Sequence, residues 1–216
     1  MSAMTPADIV FSDAVKQVQD AKGSRGAIQR MREKRPWPTR LTPEIADFIA
    51  QRTSAFLGTA NRQGQPYIQH RGGPPGFLHV LDDRTIGFAD LAGNRQYITL
   101  GNLSENPSAF LFLIDYATRS RVKFWGAARV VENDPDLVAR LQTGARGRAE
   151  RAILFEIATW DINCPAHIPV LVDASAAADA IAQRDARIAE LEAELAKART
   201  SPSPTMRGNP PRDRNR

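Results

Sequence analysis

The chain has 216 residues, 42% hydrophobic and 25% charged, enough for one buried core with extensions and too apolar for wholesale disorder. Its charge of +5 sits at the ends: residues 1–40 hold eight Lys/Arg against four Asp/Glu, residues 200–216 hold four against one, and the body between is at −2. No apolar run approaches the ~20 residues that cross a bilayer, the N-terminus lacks the basic-then-apolar pattern of a secretory signal, and a single cysteine, Cys164, excludes an internal disulfide and a multi-thiolate zinc site. A cytoplasmic protein with no membrane partner is therefore expected. The slightly acidic body also argues against nucleic acid, whose binding domains carry a positive stripe on the folded face that does the work.

Residues 5–32 are predicted as helix, broken at Lys22-Gly23-Ser24-Arg25-Gly26, with Ile9, Val10, Ala14 and Val18 near one face. Arg35-Pro36-Trp37-Pro38-Thr39 follows as an extended connector, because each proline pushes its predecessor out of the α region. Thr42-Pro43-Glu44 opens another helix with a hydroxyl cap, a proline in the first turn and an acid at the positive end of the dipole. Ile45, Phe48 and Ile49 form its apolar face.

Strand patterns begin at Ser54. Residues 55–60 and 66–71 flank the turn Asn61-Arg62-Gln63-Gly64 as a hairpin, and residues 77–81 and 85–89 flank Asp82-Asp83-Arg84 as a second. A short helix is predicted over 94–103, stopped by Asn106-Pro107. Residues 109–114 are a continuous apolar run, read as a strand buried on both faces, and residues 121–131 alternate. Asp134-Pro135-Asp136 caps a short helix, and residues 152–157 are the last strand. Closely spaced strands with few helices predict a small barrel rather than a parallel βαβ sheet. No G-x-G-x-x-G follows a strand, which argues against a Rossmann site.

Residues 176–199 are one strong helix former in which Ile181, Ile188 and Leu195 recur every seven residues with Leu191 between them. A short coiled coil and a solvated alanine helix both fit that pattern. Residues 200–216, with no apolar residue but Met206, are predicted to be a disordered tail. The domain reading is thus a helical arm (1–40), a barrel (41–172), an alanine-rich helix (173–199) and an arginine/proline tail (200–216).

Hydrolase motifs such as G-x-S-x-G and H-E-x-x-H are absent, and His70, His79 and His167 are too scattered to propose a metal site. Cys164 and His167, across Pro165, are either a nucleophile–base pair or, more plainly, part of a turn after the last strand. Three other segments carry more. Gln69-His70-Arg71-Gly72-Gly73-Pro74-Pro75-Gly76 reads as a rigid loop after an arginine, where backbone approaches a flat ligand closely. Asp90-Leu91-Ala92-Gly93-Asn94-Arg95-Gln96-Tyr97 places Gly93, the Asn94 amide and the Arg95 guanidinium at a predicted helix start, an anion site by amides and dipole combined. Alternation puts Arg121, Lys123 and Trp125 on one strand face, two cations and an indole in a row. Three cation clusters on an acidic body point to a phosphate ligand rather than to bulk charge.

Residues 56–131 resemble the FMN-binding split β-barrel of the pyridoxamine 5′-phosphate oxidase-like flavoproteins. The pieces that carry it are His70-Arg71-Gly72-Gly73-Pro74-Pro75-Gly76-Phe77, Gly87-Phe88-Ala89-Asp90, Gly93-Asn94-Arg95-Gln96-Tyr97-Ile98, Gly101-Asn102-Leu103 and Trp160-Asp161-Ile162-Asn163-Cys164-Pro165, which are similar to an uncharacterised bacterial branch. The fold so implied is mainly β with flanking helices, a split barrel followed by a C-terminal helix and tail. The resemblance implies a homodimer with FMN at the subunit interface, the phosphate held by Gly93, Asn94 and Arg95. It also implies flavin contacts from Gln69, His70 and Arg71 and from Arg121 and Lys123 beside Trp125, where true oxidases carry Gln-x-Arg. A cation near the pyrimidine edge, Arg71 or Arg121, would favour anionic reduced flavin. The C-terminal Arg-x-His grip on a B6 phosphate has no counterpart, so oxidation of vitamin B6 itself is not expected. The function implied is an FMN-dependent oxidoreductase on an unidentified small molecule. The alternative is a flavin-, deazaflavin- or haem-binding protein, since relatives of this fold bind those groups and His70 or His167 offers a ligand for iron.

Overall fold

The structure, a computed structural model, describes residues 5–144, 147–162 and 166–200. The chain forms two compact units, Met1–Val170 and Leu171–Arg216. The predicted tail from residue 201 and Cys164 lie outside the described residues.

The N-terminal arm is three helices where one broken helix was expected: α1 (Pro6–Val10), α2 (Asp13–Ala21) and α3 (Arg25–Lys34). The additional break has a local cause, for the Ser12 hydroxyl accepts the Val15 N–H and restarts the helix. The second break falls at Gly23, whose φ of +73° lies in the left-handed region. Helix α4 (Pro43–Ala50) starts as predicted, the Thr42 hydroxyl accepting from the Ile45 N–H, and buries Ile45 and Ile49.

Seven strands follow: β1 (Ser54–Ala60), β2 (Pro66–Gly72), β3 (His79–Val80), β4 (Thr85–Leu91), β5 (Ser108–Asp115), β6 (Ser120–Val131) and β7 (Ala149–Ile162). They form one antiparallel sheet in the order β2-β1-β5-β6-β7-β4-β3. Helix α5 (Ile98–Glu105) lies between β4 and β5 in sequence and α6 (Pro135–Leu141), capped by Asp134, between β6 and β7. The sheet is a split-barrel type and does not close by backbone pairing. Side chains span the gap instead: Arg71 of β2 meets Asp90 of β4 at 2.5 Å, across opposite margins of the sheet.

Leu57, Leu111, Leu113, Phe124, Phe88, Ile153, Phe155 and Ile157 are all essentially inaccessible and fill the inside of this curl. Each full burial of such a side chain contributes about 1.5–3 kcal/mol. The pairing of β6 with β7 shifts between Trp125 and Gly126, where Ala158 of β7 is the extra residue of a bulge. A Cβ at Gly126 would stand 2.0 Å from the Glu156 carbonyl oxygen, so only glycine fits there.

Three expectations need correction. Strand β5 is not buried on both faces: Leu111 and Leu113 point inward, while Phe110, Phe112 and Ile114 form an outer face that one chain leaves half-covered. The strand expected at 77–81 is only His79–Val80, because Phe77 and Leu78 are drawn into the core from a turn. The helix expected at 94 starts at Ile98, because Arg95 and Tyr97 take φ of 59° and 53° and so leave the right-handed spiral. In the second unit, α7 (Ala174–Thr200) is one uninterrupted helix with no buried residue. Among the described residues no helix is long and apolar enough to cross a membrane.

Candidate functional site

A cleft of about 240 Å³ opens beside the split, lined by Gln69 and Arg71 of β2, Asp90 of β4, the 93–97 loop, Thr99 at the start of α5, and Glu150 and Arg151 of β7. Strand alternation explains its β2 wall: Tyr67, Gln69 and Arg71 share one face, with Ile68 and His70 on the other. Gln69 Oε1 accepts from Arg71 at 2.9 Å and from the Thr99 hydroxyl at 2.6 Å. Asp90 accepts from Arg71 and, at 3.0 Å, from Arg151. All three side chains are nearly buried, at 7, 10 and 13% exposure, so these bonds are little screened. Burial opposes the charge of Arg151, but Asp90, Glu150 and Glu132 outweigh it and hold its pKa above the ordinary arginine value.

The 93–97 loop is the mobile chemistry of the cleft in the sense of charge, not of motion: its cation is uncommitted. Arg95 is exposed, lines the cleft, and among the described residues has no ion pair. The Asn94 side chain accepts from the Gln96 N–H at 3.2 Å and tightens the loop. Two non-glycine residues in left-handed backbone within three positions cost on the order of 1–3 kcal/mol each, and such strain is concentrated where a loop must present groups to a ligand. The anion site expected from a helix start at Asn94 is corrected accordingly: what the loop offers is a guanidinium and backbone in a turn, with the helix beginning at Ile98. Two observations test whether an anionic cofactor fits. Arg71 Nε is buried and among the described residues has no partner, a donor that a ligand oxygen would satisfy. At Gly93 an added Cβ would meet nothing closer than 3.9 Å, so the loop is open there.

The structure divides the nine nominated residues between two places. Gln69, Arg71, Gly93, Asn94 and Arg95 line the cleft. His70, Arg121, Lys123 and Trp125 do not; they lie on the outer face of the sheet. There the register sets His70, Phe56, Phe112, Lys123 and Asp161 directly opposite one another across five strands. Phe56 stands 5.5 Å from the His70 ring, Phe110 and Trp125 meet edge-on at 5.1 Å, and Lys123 Nζ is 5.3 Å from the Trp125 ring. His70 also shares a 2.7 Å hydrogen bond with Ser54. Burial pulls the Lys123 pKa down, Asp161 opposes it, and Arg121 and Arg32 add to it.

Gly73 is a further correction. A Cβ there would come within 2.5 Å of Phe77 Cβ, so this glycine serves the packing of Phe77 rather than a ligand's approach. Thr99, Glu150 and Arg151 were not anticipated, and Asp90, though it belongs to a motif already named, has no sequence signature for its place between two cations. Arg32 was also missed. It reaches from α3 to Asp161 at 3.3 Å and lies over Trp37 at 3.8 Å, bringing a third cation beside Arg121 and Lys123. His167 is described, with φ of 65°, and Cys164 is not, so the nucleophile–base pair lies outside what the structure describes. Among the described residues no three His, Cys, Asp or Glu side chains are grouped to hold a metal.

An open antiparallel split barrel with a cation-bearing cleft at its margin is the class that fold and site define. Residues 41–164 match the model of the pyridoxamine 5′-phosphate oxidase family, more than half the chain, and the chain belongs to that family. No protein of curated function matches it. Among solved structures, an FMN-binding protein from Syntrophomonas wolfei is 14% identical, over 67% of this chain and 97% of its own, with a TM-score of 0.45. HupZ of Group A Streptococcus is 14% identical over 56% and 94%, with a TM-score of 0.44. HutZ, the haem storage protein of Vibrio cholerae, is 20% identical over 57% and 94%, with a TM-score of 0.42.

Proposed function

We propose that the protein binds FMN in the cleft, with Arg95 and Asn94 on the phosphate, and acts as an oxidoreductase on a small molecule. The observation that carries this is the uncommitted Arg95 on a strained loop facing a cleft whose other arginines are already paired to Asp90. Family membership supports the choice of FMN over other anions. FMN would supply electron and hydride transfer there. The chain's own part is to hold it: Arg95 neutralises the phosphate, Asn94 shapes the loop, and Gln69, fixed by Arg71 and Thr99, presents an amide along the wall.

Size supports a homodimer in this reading. Small-molecule and cofactor sites usually enclose about 300–1,000 Å³, more than the 240 Å³ one chain provides. The outer face, with Phe56, Phe110, Phe112 and Trp125 half-buried around Arg121 and Lys123, is the surface proposed to meet its counterpart and bring those cations and His70 to the flavin. A haem- or deazaflavin-binding protein is the second reading. His70 favours its haem form, being exposed beside Phe56 with its Nε2 committed only to Ser54.

An absorbance spectrum of the purified protein, titrated with FMN and then with haem, tests both. Flavin bands with saturable binding are expected, and Arg95→Ala should weaken FMN by about ten- to a hundredfold, the worth of one charge-assisted phosphate contact. No FMN binding, with a Soret band lost in His70→Ala, would move the assignment to the haem reading.

A further inference from the structure

Helix α7 buries none of its residues, yet it carries large apolar side chains in a regular row. Ile181, Ile188, Leu191 and Leu195 are 59, 53, 46 and 52% exposed. Placing Ile181, Ile188 and Leu195 at heptad position a puts Ala177, Arg184, Leu191 and Ala198 at d. Ile188 at a followed by Leu191 at d is the combination that favours two parallel strands, and the other d positions hold small or polar residues.

The flanking charges discriminate between arrangements. Positions g and e hold Arg187 and Glu194, and Asp185, Glu192 and Arg199. In a parallel in-register pair each g residue faces the following e residue of the other helix. Arg187 then faces Glu192 and Glu194 faces Arg199, all attractive. In an antiparallel pair with the same seam, g faces g and e faces e; Arg187 gains Glu194, but Asp185 is set against Glu192. Within one helix Arg187 already pairs with Glu190 at 2.7 Å, both more than half exposed, a contact weak enough to exchange for one across the seam. Arg184 is the polar member of the seam. Its long stem lets the guanidinium leave the interface beside Asp185 of the other copy.

We propose that α7 pairs with α7 of a second copy of this chain as a parallel, in-register two-stranded coiled coil. The occupant is a second copy because the charge pattern is self-complementary. The pairing does not depend on what the cleft binds.

Site-specific cross-linking of the full chain tests it, in a Cys164→Ser background. Ala198→Cys places a thiol in the d row near the helix end, and Ala193→Cys places one on the opposite side, at f. Mild oxidation is expected to dimerise the Ala198→Cys chain at least about tenfold faster than the Ala193→Cys chain, because pairing raises the local thiol concentration at d alone. Ile188→Lys should erase the difference, and Arg187→Glu should reduce it until Glu192→Arg is added. Equal rates at 193 and 198 would overturn the proposal even for a chain that dimerises elsewhere. So would preferential linking of Ala198→Cys to Ile181→Cys in a mixture, the signature of antiparallel helices.

Discussion

Strands β5 and β6 have two faces that the same backbone makes equally available, and they are used in opposite ways. The inner face holds Leu111, Leu113, Val122 and Phe124, none more than 2% exposed. The outer face alternates with it residue by residue and holds Phe110, Phe112, Arg121, Lys123 and Trp125, all half-buried. The inner face is finished by one chain. The outer face mixes aromatic rings with cations, and burial pulls the pKa of one of them, Lys123, down. This is the face proposed to meet a second copy.

That contrast can be broken at graded cost. Phe124→Ala removes an inner ring and should lower unfolding stability by about 3–5 kcal/mol in a denaturant titration. Asp90→Ala, at the split, should cost a similar amount, about 3–5 kcal/mol, since it leaves Arg71 and Arg151 buried without their shared acid. A smaller loss would mean that water reaches those guanidiniums and that the split is wetter than its exposures indicate. Trp125→Ala, on the outer face, should change chain stability by only about 1 kcal/mol. If the proposed dimer forms through this face, the substitution should weaken that self-association about 30-fold, as expected for an aromatic anchor, when measured by sedimentation equilibrium.

The smallest effect concerns pH. Burial raises the Asp115 carboxyl, but the Thr118 N–H and the Arg52 guanidinium, 2.8 Å away, outweigh it and hold its pKa below the ordinary 3.8. The folded state therefore binds this proton less readily than the unfolded one, and the stability this gives is present above 3.8 and lost as pH falls through the folded value. Asp115→Asn should cost about 1 kcal/mol at neutral pH and flatten the acid limb of the stability profile. An unchanged limb would assign acid sensitivity to other carboxylates.

Much of this was legible along the chain because it is decided locally. Thr42 and Asp134 cap the helices they were expected to cap, the hairpin of β1 and β2 follows from its turn, and residues 121–131 alternate as read. What misled was also local: an apolar run at 109–114 looks the same whether its second face meets its own core or another surface, and Gly73 looks like a ligand glycine until Phe77 is packed against it.

The sequence by itself determined the strand-rich fold, the capped helices and the stock of cations from which a site could be built, since periodicity, caps and charge are properties of neighbours. Only the tertiary structure decided which cations share a site. Gln69 and Arg71 are parted from His70 by the two-residue period of β2, while Arg71 and Arg151, 80 residues apart in sequence, meet on Asp90 because the sheet curls until its margins touch. Curl and register are sums over all seven strands, and no single segment carries that information.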